Sequence, residues 1–466
     1  MTLHQLRRSY PALSASEKQR ADALFKRPTD AGGDGSLAYS VPEATPLCDG
    51  DLCVHYVTSS SDAISTADTD SSGRPDYAER ALSTLRRIHD TYIAAGYREP
   101  RADGSLGGGS NLIDIYLGNV GDQGIYGYCT SDKPYPGDNG PWDAWAYCVL
   151  DNDFSPAEFG TANTPTENLD VTAAHEYFHA TQYAYDSYED PWILEATATW
   201  AEDEMYDSVD DNLQYLRTSP LTNPFRPLDS FADDGFQYGS WIFIRYLTER
   251  FRTKKGALPV IVRDLFLRLD GAAGGPDDYS WKGLDKVLQK RGISAATAFV
   301  QFSATNRRAR TAYAEGRAND YPETPLAGKV TLTPRRPGVR PAKIRLDHLT
   351  SATFRLSPKG FSDKRAKLRL VIKGPVRATS PQALVTVYGK SGKPKVYKIR
   401  LNGKGDATPR VPFSSRKVRY VEVTLANASG RFQCGAGDNT EFYSCFGLSR
   451  DDGQRFELSA TALKRG

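Results

Sequence analysis

The hydrophobic period of this chain changes once, across residues 321–341, and no other feature constrains its fold as much. That run holds five prolines and few apolar residues, so it reads as a linker or an edge region. Beyond it the apolar residues alternate. Short strands are expected over 343–356, 366–372, 383–388, 395–401, 419–425 and 455–460. In the fifth, Val421, Val423 and Leu425 alternate with Tyr420, Glu422 and Thr424. Strands this short, joined by Gly, Pro and Ser turns, predict an all-β sandwich or jelly roll over 326–466.

Ahead of the change the pattern is mixed. Residues 54–57, 112–120 and 146–151 read as strands, and 77–95 and 169–185 as helices, the first ended by Gly96. Helical spacing then dominates over 191–205, 239–251, 258–269, 284–289 and 293–303. Residues 1–45 are polar and carry one helical stretch at 14–25. The expected organisation is an N-terminal arm (1–45), an α+β unit with a mixed sheet (46–190), a helical subdomain (191–325) and the β domain (326–466).

Charge follows the same boundary. The net charge of +2 hides 29 Lys and Arg against 9 Asp and Glu in 326–466, and 30 against 48 in the rest. An acidic body thus joins a basic domain, which points to two jobs. The basic domain interleaves few aromatics with its cations and carries no nucleic-acid motif, so a nucleic-acid partner is not expected. Its cations read as solvated strand faces, as a surface for an anionic cell-surface polymer, or as one that docks on the acidic body. Mean hydropathy is −0.52 and no run of about 18 apolar residues occurs, which excludes a membrane-spanning helix.

The six cysteines form short-range pairs, Cys48/Cys53, Cys129/Cys148 and Cys434/Cys445, without a C-x-x-C. Such spacing predicts disulfides, an oxidising compartment and a secreted protein. The opening residues lack the apolar core of a signal peptide, so a secreted form is expected to have lost its signal.

One motif carries chemistry: His175-Glu176-Tyr-Phe-His179, in a chain with six histidines. On a helix, residues four apart share a face, so His175 and His179 can aim two imidazoles at one metal ion. Glu176 sits beside that face, placed to take the proton of a metal-bound water. Zinc needs a third protein ligand. The metzincin positions after His179 hold Gln182 and Tyr185, which excludes that class. In the next helix, capped by Asp190 with Pro191 at its first position, Glu195 and Glu202 lie seven apart on one face and either can reach the metal. Glu195 is the expected ligand, since a carboxylate in so apolar a stretch needs a cation.

With Trp192-x-x-Glu195-Ala-Thr following, the residues resemble the gluzincin clan of zinc metallopeptidases. Glu195-Ala-Thr-Ala-Thr-Trp200-Ala-Glu202-Asp203 is similar to a family of secreted bacterial metalloproteases with an E-x-T-A-T-W-x-E-D helix. The resemblance spans about 110–250 and implies a zincin-like catalytic unit that hydrolyses protein or peptide substrates, as an endopeptidase, with one catalytic Zn2+. The sequence departs from the clan in a shorter gap to Glu195, in Ala196 for the usual glycine, and in Thr199 where thermolysin-like members hold an aspartate that buttresses a ligand histidine. Tyr238, in Gly235-Phe-Gln-Tyr238-Gly239, is the candidate oxyanion donor, and strand 146–151 the expected edge for a peptide substrate. The competing readings are an extracellular adhesion protein that keeps an unproductive zinc site, and a non-peptidase amidohydrolase.

A second loop fits a 12-residue Ca2+ pattern: Asp68, Asp70 and Ser72 at positions 1, 3 and 5, Gly73 at the turn, the Arg74 carbonyl at 7, Asp76 at 9 and Glu79 at 12. Pro75 breaks the usual apolar position, so a single structural loop is expected rather than a paired EF-hand. The alternative is a polar loop whose carboxylates cap the following helix.

Overall fold

The computed structural model describes residues 3–463 apart from 31, 32, 34–36, 105, 138 and 439, so part of the expected arm lies outside the described residues. The chain divides into two compact units, Met1–Gln214 with Arg250–Gly283, and Tyr215–Glu249 with Leu284–Gly466. The stretch 191–325 is shared between them.

The first unit is built on a five-stranded mixed sheet. Its strands are β1 (Leu47–Asp49), β2 (Leu52–His55), β3 (Ile113–Gly118), β4 (Gly127–Thr130) and β5 (Tyr147–Asp151), in the order β1-β2-β3-β5-β4. The β2, β3 and β5 strands run parallel, with antiparallel β1 and β4 on the edges. Every residue of β3 and β5 is buried, as parallel strands covered on both faces require. The expected edge strand is therefore an inner one, and the edge is β4. Cys129 and Cys148 face each other across β4 and β5 and are joined, as are Cys48 and Cys53 across β1 and β2. The third disulfide joins Cys434 to Cys445.

Local sequence explains the helices of this unit. The arm, expected to carry one helical stretch, carries two: a short helix at Leu3–Ser9 and α1 (Ala15–Leu24), which opens on a Ser14/Glu17 capping box. Helix α2 (Asp76–Ala95) ends where Gly96 takes φ 83°, a conformation glycine adopts without strain. The third, α3 (Pro165–Tyr183), starts four residues ahead of expectation, because Thr164 and Glu167 form a capping box with Pro165 at the first position. The fourth, α4 (Pro191–Met205), has the expected bounds. Asp190 precedes it but makes no side-chain cap; its Oδ2 instead accepts from Ser280 Oγ at 2.6 Å. The polar arm is anchored in this unit. Arg27 is 1% exposed and pairs with Asp103, Asp114 and Asp132, so its charge is neutralised where water cannot reach it.

The second unit holds the β-rich C-terminal part. Its two larger sheets are built from β6 (Gly328–Leu332), β7 (Gly338–Leu346), β8 (Thr350–Pro358), β9 (Lys367–Lys373), β10 (Pro381–Gly389), β11 (Lys395–Ile399), β12 (Asp406–Ala407), β13 (Arg410–Pro412), β14 (Val418–Asn427) and β15 (Gln454–Leu463). One sheet has the order β11-β10-β14-β8-β6, the other β12-β9-β15-β7, with β13 beside β9. Val385, Val421, Val423 and Leu425 from the first sheet and Leu368, Leu370, Ile372, Phe456 and Leu458 from the second form one buried core. The single strand expected over 343–356 is two, β7 and β8, in different sheets. The break falls at Leu349, whose φ of 46° turns the chain. The expected linker contains β6, an exposed edge strand that carries too few apolar residues to be read as one. Among the described residues no helix is long and apolar enough to cross a membrane.

Candidate metal centre

Helix α3 buries every residue from Asn168 to Tyr183, so its two histidines must find polar partners inside the protein. His175 and His179 lie one turn apart with ring centroids 4.8 Å from each other. Glu195 comes from the second turn of α4. Its Oε2 lies 3.2 Å from His175 Nε2 and 3.5 Å from His179 Nε2. One ligand atom from each of these side chains lies within 4.8 Å of the others.

The outer nitrogens are held as well. His175 Nδ1 lies 2.5 Å from Glu202 Oε1, and His179 Nδ1 lies 2.7 Å from Gln182 Oε1. The Gln182 amide is itself oriented, because its Nε2 donates to Leu194 O and Thr197 Oγ1, each at 3.0 Å. With that NH2 committed, the Gln182 oxygen faces the imidazole and His179 carries its proton on Nδ1. A carboxylate behind His175 selects the same tautomer there. Both Nε2 atoms face the same Glu195 oxygen. Two imidazoles and a carboxylate, with each ring's outer nitrogen tied down, are a donor set that suits zinc.

Burial opposes charge on both imidazoles, but Glu195 and Glu202 raise His175 well above its ordinary value and Glu195 raises His179, so a cation entering here displaces protons. Burial raises the Glu195 carboxyl, but His179 and then His175 more than offset it and hold the group well below the usual carboxylate range. Burial pushes Glu202 up to about 7 against the pull of His175. Glu176, 7% exposed, is raised by burial, with the two imidazoles opposing. Its side chain runs under edge strand β4 at Gly127. A Cβ there would meet Val149 O at 2.8 Å, Thr172 Cγ2 at 3.0 Å and Glu176 Cγ at 3.2 Å, so only glycine lets the strand approach this closely.

Glu202, the other possible third ligand, thus lies behind His175. It stands about one helical turn beyond Thr199. Thr199 leaves its Oγ1 buried without a hydrogen-bond partner among the described residues. The roles of Glu202 and Gln182 were not assigned from sequence, although each has a signal: Glu202 is seven residues after Glu195, and Gln182 three after His179, on the same helix faces.

Tyr238 belongs to the other compact unit, where it is half-buried and stacks on Tyr215 at 5.0 Å between centroids. In the acidic loop, ligand oxygens of Asp68, Asp70 and Asp76 converge within 4.8 Å. Asp68 also accepts from the Ser72 and Gly73 backbone N–H groups at 2.9 Å, Asp70 from Ser72 N at 3.0 Å, and Asp76 from Thr69 N at 3.0 Å. Arg74 N donates to Ser72 Oγ at 3.2 Å. Glu79 is not part of the converging group; it lies in the first turn of α2. An all-oxygen set of this kind suits a hard cation.

No protein-family model and no curated protein matches the chain. Among solved structures, a family GH115 4-O-methyl-α-glucuronidase with specificity for decorated arabinogalactans is similar over 80% of this chain at 9% identity and a TM-score of 0.13. The match spans about half of that protein, 54% of its chain, and a likeness of this size carries no argument.

Proposed function

We propose that the protein is a secreted zinc-dependent peptidase whose first unit is a zincin-like catalytic body. One observation carries this reading: the Nε2 atoms of His175 and His179 and the Oε2 of Glu195 converge, each imidazole fixed from behind, with Glu176 next to the first ligand on the same helix. Zinc held there would supply a polarised, acidified water and a Lewis acid for the scissile carbonyl. Glu176 takes the water proton and hands it to the leaving amine, a task helped by a carboxyl whose burial has raised its proton affinity. Antiparallel β4, the sheet edge above Glu176, offers its backbone to an extended peptide. The three disulfides support a secreted protein.

The test is Glu176→Gln in the full chain, read by bound zinc and by chelator-sensitive digestion of casein and a peptide library. The variant is expected to bind one zinc per chain and to lose at least a hundredfold in turnover. Full zinc-dependent activity in the variant would overturn the role of Glu176. A wild-type protein that binds zinc but cleaves nothing would favour the adhesion reading, and cleavage of non-peptide amides alone would favour an amidohydrolase.

A further inference from the structure

The second sheet of the β-rich unit has one face in the core and one in solvent, and the solvent face is basic. In β9, Leu368, Leu370 and Ile372 are buried while Arg369 and Lys373 are exposed and Lys367 is partly so. Register carries this alternation to the neighbouring strands. Arg369 stands directly opposite Arg410 of β13, and Arg345 of β7 opposite Arg455 of β15. Lys343 faces Glu457, and Lys373 faces Asp406. The face therefore sets seven cations against two carboxylates, and Glu457 is also drawn to Arg455 at 2.8 Å.

Like charges directly opposite each other in a sheet destabilise it. Neither arginine pair is needed for packing, because the inward positions of the same strands supply the core. Arg345 also donates to Gly453 O at 3.0 Å, and both pairs keep their cations on one exposed face without serving the core. What they form is a group of cations at each end of the face, because Arg455 and Thr461, the residue opposite Arg369, stand six residues apart along β15, about 20 Å. The other outward positions read from the same registers are Val371, Ser459, Thr461, Leu463 and Pro412, none of them aromatic. A face without stacking rings is poorly suited to single-stranded nucleic acid, and a flat sheet cannot enter a duplex groove as a helix does. The compartment implied by three disulfides is one in which charged envelope polysaccharides are met.

We propose that this face, centred on Arg345, Arg369, Arg410 and Arg455, binds an extended anionic polysaccharide of the cell envelope through its carboxylate or phosphate groups. Binding does not depend on zinc. The array recognises charge along a chain, so affinity falls as salt screens it.

The test uses the full chain and immobilised polygalacturonate, a ribitol-phosphate polymer and single-stranded DNA, at about 0.05 M and about 0.5 M salt. Retention on the carboxylate or phosphate polymer at low salt and release at high salt is expected, and the better of the two identifies the anion. Arg345→Gln with Arg410→Gln, which breaks both like-charge pairs, should weaken binding at least tenfold while leaving the melting temperature unchanged or higher. Lys390→Gln with Lys393→Gln removes the same charge from a turn of the other sheet and should change binding less than twofold. Equal losses for the two double variants, no retention at low salt, tighter binding to DNA, or self-association in place of polymer binding would each overturn the proposal. Chelator-sensitive digestion, measured alongside, reports on the zinc centre independently.

Discussion

Replacing Glu202 by alanine separates its role from that of Glu195. The Glu202 Oε1 lies 2.5 Å from His175 Nδ1, and its Oε2 is buried without a partner among the described residues. The alanine variant removes the acceptor and leaves a buried imidazole N–H unsatisfied, at a cost of about 1–3 kcal/mol. Loss of such an outer partner typically weakens metal binding about 10–100-fold, or about 1.4–2.7 kcal/mol. Glu202→Gln keeps an acceptor of the same length but loses the charge. A charge-assisted bond is about twice as strong as a neutral one, so roughly half of the free-energy loss is expected, about three- to tenfold in affinity. Glu195→Ala, which removes a ligand, should weaken zinc binding more than either. The assay is chelator competition for zinc on the full chain, with circular dichroism to check the fold. Zinc affinity in Glu202→Ala within about twofold of wild type, or a loss deeper than that of Glu195→Ala, would refute the assignment of roles.

Two further outcomes follow from other parts of the molecule. His348 is fully buried between Asp229 and Asp452; burial opposes its charge, but Asp229 and then Asp452 raise its pKa to about 9. A raised folded pKa means stability that is complete below the ordinary value of 6.5 and lost as pH rises through about 9, on the order of 3 kcal/mol, so melting temperature should fall across that window and His348→Gln should flatten the profile. Gly127→Ala places a Cβ 2.8 Å from Val149 O and 3.2 Å from Glu176 Cγ, which should displace the edge strand or Glu176 and lower turnover more than zinc affinity. Unchanged turnover in that variant would show that the close approach of β4 does not matter.

The centre was legible because its signals are local. His175 and His179 share a face by spacing alone, and Pro191 marks the start of the helix that brings Glu195 to them. What was missed depends on contacts distant in sequence. Strand β4 has four residues, one of them Gly127, and no apolar alternation; it is a strand because Cys129 pairs with Cys148. The break between β7 and β8 is a single turn at Leu349 that sends two similar strands to different sheets. Arg27 reads as one more charge in a polar arm, yet it is buried because three aspartates from three other segments meet it. Even the charge boundary, plain in composition, did not reveal that β9, β13, β7 and β15 bring their arginines face to face.

Anomalous diffraction at the zinc edge, on crystals grown from zinc-replete protein, tests the central claim most directly. The expected result is one peak about 2.0–2.2 Å from His175 Nε2, His179 Nε2 and a Glu195 carboxylate oxygen, with a fourth position open to water. No peak at these three side chains, or a zinc ion ligated by Glu202 in place of Glu195, would contradict it.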